Sequence, residues 1–383
     1  MIEKGVRRGG GLSAAVLAVF LLWTALLFLG AAGGKGTVRS GTRSAQAAAL
    51  RGLVDTVGFA HTAEQITGVV KISEKLERPL LEREDRLYPD RFIGGISPHD
   101  DYLYAGQVYV HIMRKIKAKR VVLFGVAHHA WKWKVENQLI FGRFKQWRGP
   151  FGPVTVSALR EDILRRLPAG DYLVSNAYQS EEHSLEALIP FLQYYNRGAE
   201  IVPILVPYMG WGRMDSLATD LARTLAQVIR KKGWKLGEDI AFLISNDCYH
   251  YGDQDWGGKN FAPFGCDVPG YLRAVRQEHE LISQYLTGKT APERLHELLY
   301  RLVDPKDVHT YRITWCGRFS VPFGVDFLHR LTEQLQIPPL SGHLLRYGTS
   351  VEFGELPVRS LGLGQTAPSN LHHWVGYCAV GFF

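Results

Sequence analysis

Residues 96–106 read "ISPHDDYLYAG". An apolar run, Phe92–Ile96, stops at Ser97-Pro98, and His99, Asp100 and Asp101 follow at once, ahead of an aromatic stretch that turns helical near Tyr104. A short apolar strand that ends in polar groups and then feeds a helix is the opening of a βαβ unit, and such sheets bind ligands beyond the carboxyl ends of their strands. Taken alone, His99 is more simply a turn residue, and Asp100 and Asp101 suit a helix N-cap. The decision rests on whether other strands end in the same way.

Two do. In "LFGVAHHAW" (residues 123–131) the run Val121–Val126 leads into His128 and His129, and in "FLISNDCYHYGD" (residues 242–253) Phe242–Ser245 leads into Asn246, Asp247, Cys248 and His250. Strand ends of one parallel sheet share a rim, so these histidines are expected to converge across gaps of 29 and 122 residues. A fourth element is "TWCGRFSVPFG" (residues 314–324), with Cys316 between an extended stretch and a turn. A fifth is "SEEHSLEALIPF" (residues 180–191), where Glu182, His183 and Glu186 open an apparent amphipathic helix. Carboxylates suit the first turn of a helix through its dipole alone, and a single cysteine is usually a small buried hydrophobe. Repetition of metal-competent residues at three strand ends favours a site.

Around these motifs, strands are expected at Phe92–Ile96, Val121–Val126, Ile201–Val206, Ile240–Ser245, His343–Tyr347 and Trp374–Phe382. Helical periodicity is read at Ala63–Lys75, Ser184–Tyr195, Met214–Lys231, Tyr271–Tyr285, Pro292–Leu302 and Gly324–Gln334. The expected architecture is one α/β domain over 52–383, with a central, mostly parallel or mixed sheet flanked by helices. No G-x-S-x-G, Walker A or H-E-x-x-H pattern occurs, and "GLGQ" at Gly362–Gln365 reads as a turn.

The N-terminus has its own logic. Leu12–Ala32 is almost purely apolar and follows Lys4, Arg7 and Arg8. Its length favours a transmembrane anchor over a signal peptide, with a small-residue cleavage motif available at Ala45-Gln46-Ala47. The expected layout is a leader over 1–34, a linker over 35–51 and the α/β body beyond. The body is thereby expected on the extracytoplasmic side, periplasmic or on the outer face of the inner membrane. Residues 1–51 hold seven cations and one acid, six of the chain's eight net positive charges. The basic pI is therefore a property of the leader and gives no argument for nucleic-acid binding. The four cysteines, Cys248, Cys266, Cys316 and Cys378, form no C-x-x-C pair.

With these elements in order, the chain resembles the Memo family, also called AmmeMemoRadiSam system protein B, which is related in fold to class III extradiol dioxygenases. The resemblance spans about 92–383. It rests on "PH-x-x-Y-x-Y-x-G" at Pro98–Gly106, "G-x-x-HH" at Gly125–His129, "EHS-x-E" at Glu182–Glu186, "S-x-D-x-x-H-x-G" at Ser245–Gly252 and "CGR" at Cys316–Arg318. It implies a mononuclear metal, Fe(II) or copper, on His99, His128 and Cys316. His250 is implied as acid/base with Asp247 beside it, and Asp100, Asp101, His129, Glu182 and His183 as pocket neighbours. In the dioxygenase relatives two histidines and a carboxylate hold the iron. Cys316 takes the carboxylate's place, a softer donor that admits Cu(I).

Three functions follow as expectations: a metal-dependent, dioxygenase-like oxidoreductase; a metal-binding or peptide-binding module without turnover, with Trp131, Trp133 and Trp147 as a rim; and, third, a zinc hydrolase. The pocket is expected to take a small-molecule or peptide ligand. Asp100-Asp101 stand where the family usually has Ala-Gly, which favours a cationic ligand over an anionic one.

Overall fold

The computed structural model describes residues 49–383. The leader and most of the linker lie outside the described residues. Among the described residues, no helix is long and apolar enough to cross a membrane. In chain order the strands are β1 (Leu50–Arg51), β2 (Gly94–Ser97), β3 (Arg120–Val126), β4 (Leu139–Phe141), β5 (Gln146–Trp147), β6 (Val154–Thr155), β7 (Tyr172–Val174), β8 (Glu200–Val206), β9 (Ile240–Ser245), β10 (Asp247–Gly252), β11 (Gly288–Lys289), β12 (Ser341–Thr349) and β13 (His373–Phe382).

Ten of them form one mixed sheet in the order β11-β12-β13-β2-β9-β3-β8-β4-β7, with β10 pairing β13 off this path. The centre, β2-β9-β3-β8, is parallel, and β13 joins β2 antiparallel. Central strands covered on both faces read as continuous apolar runs, and β3, β8 and β9 do so (VVLFGV, IVPILV, IAFLIS). In β2 the sequence is Gly94-Gly95-Ile96-Ser97 instead. The glycines let helices close in on both sides: a Cβ on Gly95 would stand 2.2 Å from Ile112 of helix Tyr102–Met113, and one on Gly94 2.8 Å from Leu328 of helix Ser320–Leu335.

Three expectations change. The linker does not run to Arg51, because β1 pairs with β5 and the Arg51 guanidinium is buried against the Glu186 carboxylate and the Trp147 ring. The first helix spans Ala63–Leu87, passing through Pro79. Its second half, a charged stretch in sequence, is helical because Glu77 and Glu84 turn inward onto His111. The helix expected at Ser184–Tyr195 begins only at Leu188. Glu182 and Glu186 spend their carboxylates on backbone N–H groups of Ser184, His128, Val54 and Asp55, which holds the preceding residues in a turn.

Candidate metal centre

Adjacent strands β2, β9 and β3 end side by side, and each delivers a polar group to the same rim. Beyond β2 comes His99, beyond β9 Asp247 and beyond β3 His128. Cys316 arrives from the turn before helix Ser320–Leu335, its N–H donating to the Asp247 carbonyl at 3.0 Å. His250 follows on β10, past a register shift after Asp247. One donor atom from each of His99, His128 and Cys316 lies within 4.8 Å of the other two, and Asp247, His250 and Cys316 form a second such group sharing the thiol.

The rings are oriented from behind. Ser245 Oγ holds His99 Nδ1 at 2.7 Å, and Glu182 Oε1 holds His128 Nδ1 at 2.8 Å. Both Nε2 atoms therefore face the cluster, the usual way a metal-binding imidazole is fixed. His128 Nε2 lies 3.3 Å from Cys316 Sγ, and His250 Nε2 3.1 Å from the same sulfur. His99 Nε2 is buried and makes no hydrogen bond; Asp247 Oδ2 is 3.2 Å away but out of line. The Asp247 carboxylate is itself placed by the His99 backbone N–H, which donates to Oδ1 at 2.8 Å.

Burial and mutual charge shift the titratable groups of the cluster together. Burial pushes the Cys316 thiol up, but the positive charge of His250 and His128 outweighs it and holds the thiol well below its ordinary value. Burial would neutralise His128, yet Glu182 and Cys316 hold it well above the usual imidazole range. His183, stacked on His128 at 4.5 Å, is pushed down to about 3 by burial and by the charge of His128. Asp247 is raised by burial, then by Asp100 and Cys316. A thiolate and two imidazoles facing a common point, with one buried ring nitrogen unpartnered, is a donor set that suits a transition metal.

Above this floor lies a cavity of about 400 Å³. His99, Asp100, Asp101, His128, His183, Asp247 and His250 all line it, with Asp55, Asp255, Phe59, Trp256 and His373. Five of the lining residues are aspartates, and none is a lysine or arginine. Asp100 Oδ2 accepts from Tyr377 Oη at 2.6 Å. Asp101 occupies the N-cap position of helix Tyr102–Met113 but makes no capping bond; its carboxylate accepts from Thr366 instead. His129 is not a lining residue, its ring packing edge-on to Trp133 at 5.8 Å.

A family model described as Memo-like protein matches residues 71–355. The chain belongs to the Memo-like family. Proteins described as MEMO1 family protein are similar to it. One from Methanococcoides burtonii is 31% identical over 67% of this chain and 80% of its own length. One from Aquifex aeolicus is 29% identical over 60% and 71%. For the Pyrobaculum arsenaticum relative, 28% identical, the match covers 42% of this chain and about half of the relative, 54%.

Beyond the Memo-family motifs, several site residues carry no sequence signal. Trp256 and His373 come from a loop and a turn that meet only through the pairing of β10 with β13, and their rings stack at 3.8 Å. Of the expected tryptophan rim, Trp147 is buried and Trp133 stacks on Tyr178 at 4.4 Å, whereas Trp131 is 67% exposed.

Proposed function

We propose that the chain is a mononuclear metal protein with redox activity, holding iron or copper through His99, His128 and Cys316. The observation that carries this reading is the buried His99 Nε2, unpartnered and aimed at the other two donors. A metal held there would supply a redox-active Lewis acid beside the cavity. His250, lining the cavity, moves a proton to or from a bound ligand, and Asp247 sets the local charge. Ser245 and Glu182 fix the two imidazoles so that no reorganisation is needed. Asp55, Asp100 and Asp255 in that wall, with Phe59 and Trp256, favour a cationic ligand with an apolar part.

A non-catalytic role for the same centre, in metal or peptide binding, is the second reading. The observation that favours it is a neighbouring groove of about 690 Å³ that shares His128 and runs past Trp131, Tyr208 and Tyr311, room for an extended ligand. On the reading of the leader as an export or anchoring segment, either activity operates outside the cytoplasm. Protease protection of the body in spheroplasts would sink that placement.

The deciding measurement is metal content. The full chain, purified without added metal, is expected to carry about one iron or copper, lost in His99→Ala and Cys316→Ala. Iron with dioxygen uptake supports the enzyme, and copper without turnover supports the binding module. Retention of the wild-type metal by both variants would sink both readings.

A further inference from the structure

A second set of metal-competent side chains stands apart from this centre. Asp253, Cys266 and His372 each place a donor atom within 4.8 Å of the other two. Asp253 follows β10, His372 precedes β13, and Cys266 precedes Asp267, the N-cap of helix Val268–Tyr285. His372 Nδ1 lies 2.8 Å from Asp253 Oδ1, and the Cys266 thiol contacts the same carboxylate.

The three donors are carried on backbone that other bonds already fix. The N–H groups of Asp253 and Gln254 both donate to the His372 carbonyl, at 3.0 and 3.2 Å. That approach needs Gly252, at φ +135°, because a Cβ there would stand 1.9 Å from the His372 oxygen. On the other side, Tyr251 Oη accepts from the Phe264 N–H and donates to the Gly265 carbonyl, pinning the chain just before Cys266. Pre-placed donors lower the ordering cost of binding.

We propose that Asp253, Cys266 and His372 form a second metal site, taking a divalent ion of the zinc class with solvent completing its coordination. Thiolate, imidazole and carboxylate are all established zinc donors. Asp253 and His372 are exposed and Cys266 half-buried, so solvent can reach the positions that the three donors leave open.

The site closes a loop. Asp253 and Cys266 bracket residues 254–265, which carry Asp255 and Trp256 into the wall of the metal-centre cavity. Trp256 stacks on His373, next to His372. An ion joining both ends of the loop to the start of β13 holds that wall in place.

The test uses the full chain stripped with chelator and reloaded with Zn²⁺, counted by mass spectrometry. Cys266→Ser and His372→Ala are each expected to hold one Zn²⁺ fewer than wild type. In the Cys316→Ala chain, Co²⁺ is expected to raise a thiolate-to-cobalt charge-transfer band that Cys316→Ala/Cys266→Ser lacks. Wild-type zinc counts in both single variants, or no cobalt band in the Cys316→Ala chain, overturns the proposal. Failure of the His99–His128–Cys316 reading shows separately, as zinc counts unaffected by Cys316→Ala.

Discussion

Two buried histidines stand near opposite ends of helix Tyr102–Met113, and they are built in opposite ways. His111, in its last turn, has both ring nitrogens engaged: Nδ1 with Glu84 and Nε2 with Glu77 at 3.2 Å. Arg346 and Arg114 close the cluster by pairing with the same two carboxylates. His99, just before the helix, has one nitrogen held by Ser245, while the other makes no hydrogen bond and has Asp247 Oδ2 only out of line at 3.2 Å. Burying an unpaired polar atom is costly, and the sheet sets around His99 Nε2 a thiol, a second imidazole and an out-of-line carboxylate oxygen of Asp247. The first cluster pairs every ring nitrogen; the second leaves one without a hydrogen bond.

The comparison breaks most sharply under truncation. His111→Ala leaves Glu77 and Glu84 buried with a partner removed, and is expected to cost about 3–5 kcal/mol of stability in urea unfolding. His99→Ala, assayed in chelator, is expected to cost far less, while stoichiometric metal is lost. A His99→Ala chain that unfolds as readily as His111→Ala would make His99 structural.

The His111 cluster also carries a pH signature. Burial acts to lower its pKa, but Glu77 and Glu84 outweigh it and raise the group above its ordinary 6.5. The folded state therefore binds this proton more tightly than the unfolded chain. Its stabilisation is complete below about pH 6.5 and fades as pH rises through the folded pKa. The stability gap between wild type and His111→Ala should narrow with rising pH, and a gap that widens would contradict the arrangement. The metal centre runs the other way, because protons compete with a metal for imidazole and thiolate, so metal loading should weaken toward acid.

A milder change separates ligand from support. Glu182→Gln keeps the shape but weakens the hold on His128 Nδ1, and is expected to lower metal affinity about 10–100-fold without abolishing binding. Isothermal titration with Zn²⁺ reads this, and an unchanged affinity would remove Glu182 from the site.

The contrast also marks what the sequence discloses. Runs such as VVLFGV and IAFLIS announce buried parallel strands, and the residues just after them are legible as a rim because chain direction alone puts them there. The site is hidden where it depends on side chains meeting across layers. Glu182 and Glu186 follow a helix-start pattern, yet their carboxylates go to backbone N–H groups and to Arg51 far away in sequence. The charged stretch after Lys75 looks solvated, because nothing local shows that Glu77 and Glu84 have a histidine and two arginines waiting. Trp256 reaches the cavity only because β10 and β13 pair.

Asp101 provides the finest test, since it is neither ligand nor helix cap. Burial and the neighbouring Asp100 raise it to about 8, although Thr366 donates to it. A carboxyl whose folded pKa lies above its unfolded value of about 3.9 favours the protonated folded state, so stability is lost as pH rises from about 4 through 8. Asp101→Asn keeps an acceptor for the Thr366 N–H and removes that loss. The variant should match wild type near pH 4, where the loss has not begun, and exceed it by a growing margin up to pH 9. Weaker binding of cationic probes in the same variant would mean that the carboxylate is retained for the ligand at a cost in stability. Equal stability at pH 9 would mean that Asp101 titrates as an ordinary aspartate, and that the acidic wall is better solvated than its burial implies.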